Sequence, residues 1–221
     1  MSSAAATQPL LLTTSRTYET GVKHLFWDNR AEWMFSAYDI ERRNVYIPES
    51  GRTFNIAGKI KTRGIELAGA VNPLAGWKLW GNVALVESRF VNFNFIDDNG
   101  DPQSYSGKTP PNVPRFIANV GSAYRFATPW PVEVGVSGRH VGNRFNFQDN
   151  LVVMNAYTVG DAYVFVDIPK SVFQAVDQTR ISFRVRNFTN RLYASWGDPS
   201  YTDQIILGSP RSYEVAASFK W

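Results

Sequence analysis

Cysteine is absent from the 221 residues, histidine occurs only twice and methionine three times. The first absence excludes a disulfide framework, thiolate metal ligation and cysteine nucleophiles. His24 and His140 are too few to build an imidazole cluster, and no GxSxG, Walker A or HExxH pattern occurs. The expectation is therefore a protein that is not an enzyme, with no metal and no cofactor. A long apolar run is missing too: no window offers the roughly 18 apolar residues of a membrane-crossing helix. That excludes a helical membrane protein, but not one that crosses with strands. Nor is there a basic run, since 23 basic and 19 acidic residues are spread along the chain to a net charge of +4. No nucleic-acid partner is expected. The stretch Met1 to Thr14 has neither a basic n-region nor a long apolar h-region, so it does not read as a signal peptide.

Aromatic residues are abundant at 14%, with 16 glycines and a mean hydropathy of only -0.25. Bulky apolar groups are thus diluted by polar ones throughout, as strands with one oily face require. The last strand shows it best. Tyr213, Val215, Ala217, Phe219 and Trp221 share one side, opposite Ser212, Glu214, Ala216, Ser218 and Lys220. Val132, Val134, Val136 and Gly138 oppose Glu133, Gly135, Ser137 and Arg139. Ile181, Phe183 and Val185 oppose Arg180, Ser182, Arg184 and Arg186, so three arginines line one side of a single strand, and that side must be wet.

Further strands are expected near Tyr18 to Trp27, Ala31 to Arg42, Lys59 to Val71, Trp77 to Phe90, Arg115 to Phe126 and Ala156 to Asp167, about nine in all. Short connections (Asp28 to Arg30, Pro73 to Gly76, Thr128 to Pro131, and the somewhat longer Pro169 to Gln178) alternate with long ones (Tyr46 to Gly58, Val91 to Pro114, Arg144 to Asn155, Leu192 to Pro210). Short turns on one rim and long loops on the other characterise outer-membrane barrels, whereas a β-sandwich has no reason to sort its loops. Bacterial single-chain barrels use even strand numbers. An odd count, a start without a leader and an opening inside an apparent loop lead to the expectation of a fragment, with residues 1–15 a poorly ordered loop remnant and 16–221 barrel.

Several segments, in order, carry a family resemblance. Tyr18-Glu19-Thr20-Gly21-Val22-Lys23, Arg63-Gly64-Ile65-Glu66, Gly76-Trp77-Lys78-Leu79, Asn112-Val113-Pro114-Arg115, Val141-Gly142-Asn143-Arg144, Ala156-Tyr157-Thr158-Val159-Gly160-Asp161, Asn187-Phe188-Thr189-Asn190-Arg191-Leu192-Tyr193 and Gly208-Ser209-Pro210-Arg211 resemble the TonB-dependent receptors, especially their siderophore branch. The likeness runs from about Ser15 to the end.

That resemblance implies an all-β fold, the carboxy-terminal part of an antiparallel transmembrane barrel of about 22 strands, drawn here as an open curved sheet. It implies an outer-membrane location, lipid as solvent, and recognition by the barrel-assembly machinery through Tyr213, Phe219 and Trp221, with Trp at the end where Phe is commoner. A ferric siderophore and the TonB system would be partners of a full-length parent; the fragment alone is expected to be inactive. Binding in the family rests on aromatic and basic side chains of long loops, which here makes Tyr46, Phe54, Tyr105, Arg144, Trp196 and Tyr201 ligand-contact candidates. Glu19, Lys23, Glu66, Arg180, Arg184 and Arg186 are candidates for the lumen or for contact with a plug. For all twelve the plainer reading is interfacial aromatics, loop packing or solvated lumen charge.

Asp97-Asp98-Asn99-Gly100-Asp101 has the flavour of a calcium loop but lacks the full pattern and reads as a loop tip. Asn187-Phe188-Thr189 fits a glycosylation sequon yet falls at a strand end. The rival readings are a receptor for another nutrient such as cobalamin or a sugar, a complete small porin, and a soluble β-sandwich module.

Overall fold

Side chains that alternate between apolar and polar satisfy two environments only when the backbone is extended, and the chain pairs accordingly. The computed structural model describes residues 11–48, 54–97, 99–170, 172, 176–198 and 204–221, with side chains at 47, 48 and 54–57 left aside. All regular structure among these is strand: β1 Thr14–Phe26, β2 Ala31–Pro48, β3 Phe54–Val71, β4 Trp77–Asn92, β5 Asn94–Ile96, β6 Pro102–Ser104, β7 Phe116–Phe126, β8 Val132–Val141, β9 Arg144–Phe145, β10 Val153–Met154, β11 Tyr157–Ile168, β12 Gln178–Arg186, β13 Ala194–Gly197, β14 Ile205–Leu207 and β15 Ser212–Lys220. Nine of them form one sheet in the order β1-β2-β3-β4-β7-β8-β11-β12-β15. Neighbouring strands are antiparallel. The sheet is not closed: β1 and β15 are its two edges. The other six strands make three small ribbons, β5/β6, β9/β10 and β13/β14, inside the long loops.

Register turns the alternation into two faces. Val215, Phe183, Val164, Val134, Tyr124 and Trp77 are successive cross-strand partners from β15 to β4. Val22, Phe35, Leu67, Val83 and Ala118 do the same from β1 to β7. This apolar face is open: Val215 is 74% exposed and Val134 44%. The opposite face carries Arg180, Arg184, Asp167, Glu133, Arg125, Lys78 and Glu66. Such a sheet has no dry interior of its own, and its small clusters of buried apolar side chains sit elsewhere.

The tightest cluster lies at the long-loop end, where Val45, Ile60, Phe90 and Phe93 are buried and Phe95 and Tyr105 pack on them. Phe93 meets Phe90 and Tyr105 edge to face, at 5.0 and 5.3 Å between ring centres. At the other rim the turns are tight. Trp27, Asp28 and Asn29 all adopt positive φ. Gly76 does so at +80°, and a Cβ there would run into the Arg125 carbonyl, so only glycine closes that turn without strain.

One expected loop is strand in all of its described residues. The stretch from Tyr46 to Gly58 is mostly paired strand, with β2 running to Pro48 and β3 starting at Phe54. The antiparallel ladder runs on into it from the charged rows below, where Glu41 pairs with Arg43 and Lys59, and Lys61 with Asp39. Similarly, strand pairing already starts at Thr14, inside the stretch 1–15 expected to be a loop remnant.

Candidate functional site

The three long loops, the described residues of 93–115, 142–156 and 187–211, are tied into one body by side chains that bond to backbone. Asn112 donates to the Gly197 carbonyl and accepts from the Gly197 N–H, both at 2.7 Å. Its own N–H donates to the Phe145 carbonyl at 2.9 Å. Asn150 accepts from Thr109 N–H and donates to the Thr109 carbonyl, each at 2.8 Å, beside Lys108, whose ammonium donates to the Asp149 carbonyl at 2.8 Å. Asn187 accepts from Arg191 N–H and donates to the Arg191 and Ser209 carbonyls. All three asparagines have positive φ, a conformation their short amide tolerates and uses to imitate a turn.

Arg144 completes the lattice. It is buried, its Nη1 donates to the Ser195 carbonyl at 2.9 Å and its Nη2 to that of Ala194 at 2.6 Å. Its guanidinium lies 5.2 Å from the Tyr157 ring centre, and Tyr157 stacks on Tyr193 at 4.1 Å. Burial lowers the Arg144 pKa and raises that of Tyr193. Both groups hold loops together instead of presenting themselves to solvent.

The aromatic and basic loop candidates therefore separate. Tyr105 belongs to the loop-end cluster, with the Lys108 ammonium 5.3 Å from its ring centre. Tyr46 lies on β2, and its hydroxyl donates to the Leu11 carbonyl at 3.0 Å. Arg144 is a strut. Trp196, on β13, is 49% exposed and stays accessible. Tyr201 and the Phe54 side chain fall outside the described residues.

The lumen candidates share the polar face but form two groups. On β1 and β3, Lys23 pairs with Glu32 at 2.8 Å, while Glu19 and Glu66 stand on strands flanking Tyr38 and Ser36 of β2. On β12, Arg186 pairs with Glu214 at 3.1 Å. Arg180 bonds Asp167 through Nε at 2.7 Å and Nη2 at 3.1 Å, and Arg125 meets the same carboxylate. Arg180 and Arg184 lie 5.3 and 5.2 Å from the Phe165 ring centre, and Phe165 stacks on Tyr163 at 4.3 Å. The result is an aromatic shelf with two guanidinium groups, near the short-turn rim. Phe165, Tyr163 and Asp167 were missed among the site candidates because their strand alternates aromatic and aliphatic residues and shows few charges. The arginine-rich neighbour was the only signal.

Two other motifs resolve locally. Asp97 Oδ1 accepts the N–H groups of Asn99 and Asp101 at 3.0 and 2.9 Å, and Gln103 donates to its Oδ2. These donors, Asp101 first, lower the Asp97 pKa. Among the described residues no group of acidic or histidine side chains could hold a metal. The sequon asparagine, Asn187, is buried with its amide engaged.

Comparison with known proteins gives concordant results. The family described as TonB dependent receptor-like, beta-barrel matches residues 3–188. The ferrichrome outer membrane transporter/phage receptor of Escherichia coli K12 is 22% identical over 210 residues, covering 93% of this chain and 26% of that protein. The siderophore receptor PiuA of Acinetobacter baumannii superposes with a TM-score of 0.73 at 20% identity, over 94% of this chain and 28% of that one. The ferric yersiniabactin uptake receptor FyuA of Yersinia pestis gives 0.72 at 20%, over 93% and 29%. The chain thus spans under a third of the length of these relatives.

Proposed function

This chain belongs to the TonB-dependent receptor family, of which it carries part of the β-barrel, and from that premise we propose that it supplies the carboxy-terminal strands of an outer-membrane receptor for ferric siderophores. The observation that carries the reading is the pair of faces on one nine-stranded sheet, continuous apolar rows on one side and arginines with aromatics on the other. Hydrocarbon satisfies the first and a watery lumen the second. Trp196, on a loop locked to its neighbours, is the accessible aromatic offered to a flat, anionic chelate. The shelf of Phe165, Arg180 and Arg184 offers contact for a plug or for cargo in transit. Tyr213, Phe219 and Trp221, on the apolar side of the edge strand, are the surface offered to the assembly machinery. Nothing in this arrangement calls for a catalytic group.

Transport is a property of the whole receptor. Here β1 and β15 leave rows of backbone groups unpaired, and in hydrocarbon each such group costs several kcal/mol, so the chain alone does not insert as a stable monomer. The test is planar-bilayer conductance, with titration of ferric hydroxamate and ferric catecholate chelates against tryptophan fluorescence in detergent. The expected result is no uniform channel and no saturable quenching by the chain alone. A reproducible unitary conductance would sink the reading in favour of a complete small porin. Saturable binding of cobalamin or a sugar would instead favour a different nutrient.

A further inference from the structure

The apolar face ends abruptly on β1 to β4. Val22, Phe35, Leu67 and Val83 form one row, and Thr20, Ala37, Ile65 and Leu85 the next toward the long loops. Above them, on the same side of the sheet, come Tyr18, Asp39, Arg63 and Glu87, and then Arg16, Glu41, Lys61 and Arg89. Thr20 and Ala37 are small side chains between larger ones. At that step the surface opens into a groove of about 870 Å³, lined by Thr20, Ala37, Ile65 and Leu85 below and by Tyr18, Arg63 and Glu87 above.

The charge above the groove is unbalanced. Glu41 serves both Arg43 and Lys59, Glu87 serves both Arg63 and Arg89, and Asp39 serves Lys61 at 3.4 Å. Arg16 lies over the Tyr18 ring at 4.7 Å. Six cations thus face three carboxylates on this side of the four strands. The surplus sits directly above apolar surface left open among the described residues: Ile65 is 44% and Leu85 50% exposed.

We propose that this groove is a binding site for a phosphate-bearing lipid of the outer leaflet, one acyl chain filling the notch over Thr20 and Ala37 and the phosphate meeting Arg63, Lys61 and Arg16. An apolar floor running straight into a cationic lip matches a molecule with hydrocarbon below and negative charge above. A free anion would find the lip without using the floor, and a neutral lipid the reverse. The site rests on the reading that the apolar face meets lipid. It is separate from any nutrient site, which lies on loops or on the opposite face.

The test is native mass spectrometry of the full chain in detergent micelles with three probes: dioleoyl phosphatidic acid, dioleoylglycerol and inorganic phosphate. Phosphatidic acid is expected to stay bound, while the diacylglycerol, with the same chains and no phosphate, and free phosphate do not. Lys61→Gln and Arg63→Gln should each lower its retention about fivefold, the effect of removing one cation near a lipid surface. Ala37→Trp fills the notch without changing charge and should also lower retention; if that variant fails to fold, the two glutamine variants still decide. Equal retention of dioleoylglycerol, equal occupancy by free phosphate, or wild-type retention in both glutamine variants overturns the site. A chain that needs detergent but lacks phosphate selectivity sinks only this proposal. A chain monodisperse in plain buffer sinks the lipid-facing reading and this site with it.

Discussion

Asn112 and Gly197, 85 residues apart, join as two peptide groups of adjacent strands would, each donating to and accepting from the other at 2.7 Å. A side chain here stands in for a missing strand partner, so two loops that share no ladder are held in register. Asn112→Asp keeps the size and removes the donor, leaving a carboxylate against the Gly197 carbonyl. It is expected to destabilise the loop contact by about 1–3 kcal/mol, the cost of a half-buried group losing its partner. Hydrogen exchange should show faster exchange at Gly197 and Ala194 with no change in β8 or β11. Unaltered protection at Gly197 would show that the loops are held by other means.

Gly197 is fixed by the same contact. A Cβ at this position would lie 2.6 Å from the Asn146 Cα, a backbone atom. Gly197→Ala should therefore force the two loops apart and expose Arg144, whose carbonyl acceptors at Ala194 and Ser195 lie on the same short strand. A rise in Trp196 quenching by iodide or acrylamide reports the change, and quenching equal to the native chain would count against it.

Asp97 gives the loop tip a pH dependence of known sign. Its pKa is lowered by N–H donors that only the ordered loop provides. The stabilisation is therefore present above the ordinary carboxylate pKa near 4 and lost as pH falls through the lowered folded value. Exchange of the Asn99 and Asp101 amides should be slow at neutral pH and lose its extra protection in strong acid, and Asp97→Asn should lose that pH dependence. An Asp97→Asn variant that keeps the native profile would remove Asp97 as its origin.

The barrel strands were legible because lipid on one side and water on the other impose a period of two, which β12 obeys at every residue from Ile181 to Arg186 and β15 from Tyr213 to Phe219 but for Ala216. The loop ends of β2 and β3 were not legible, because the stretch from Tyr46 to Gly58 mixes polar residues with Gly and Pro and loses the alternation of the belt, so it read as a long connection. The site candidates divide for a similar reason. A basic or aromatic loop residue looks the same in sequence whether it waits for a ligand or, like Arg144, is consumed by backbone carbonyls. Asn112 and Asn187 lay within recognised motifs and Asn150 within an expected long loop, yet their job depends on partners as distant as Gly197, which local pattern does not encode.

On the polar face, Asp167 is the hinge of a small ionic network: it is buried and accepts from both Arg180 and Arg125. Asp167→Asn leaves two guanidinium groups sharing a face with one fewer anion. Because both arginines remain partly open to solvent, the expected loss is about 1–2 kcal/mol, less than a fully buried pair would show. A lowered urea midpoint in detergent micelles, partly restored by also making Arg125→Gln, is the predicted outcome. An unchanged midpoint would mean that solvent already does the work of the carboxylate.

The face assignment can be tested on one strand. Val134 sits in the apolar row between Tyr124 and Val164, and Ser137, three residues on, faces Gly121 and Asp161 on the other side. An arginine at the first position must be buried among acyl chains, which costs about 2–4 kcal/mol near the middle of a bilayer and less toward its edges. At the second it reaches water and the Asp161 carboxylate, and costs little. Urea midpoints followed by tryptophan fluorescence in detergent micelles should therefore fall for Val134→Arg and barely move for Ser137→Arg. Because the two positions share one strand and the same two flanking strands, and arginine is the incoming residue at both, equal or reversed effects would mean that Val134 does not face hydrocarbon, and the two-faced sheet would have to be reassigned.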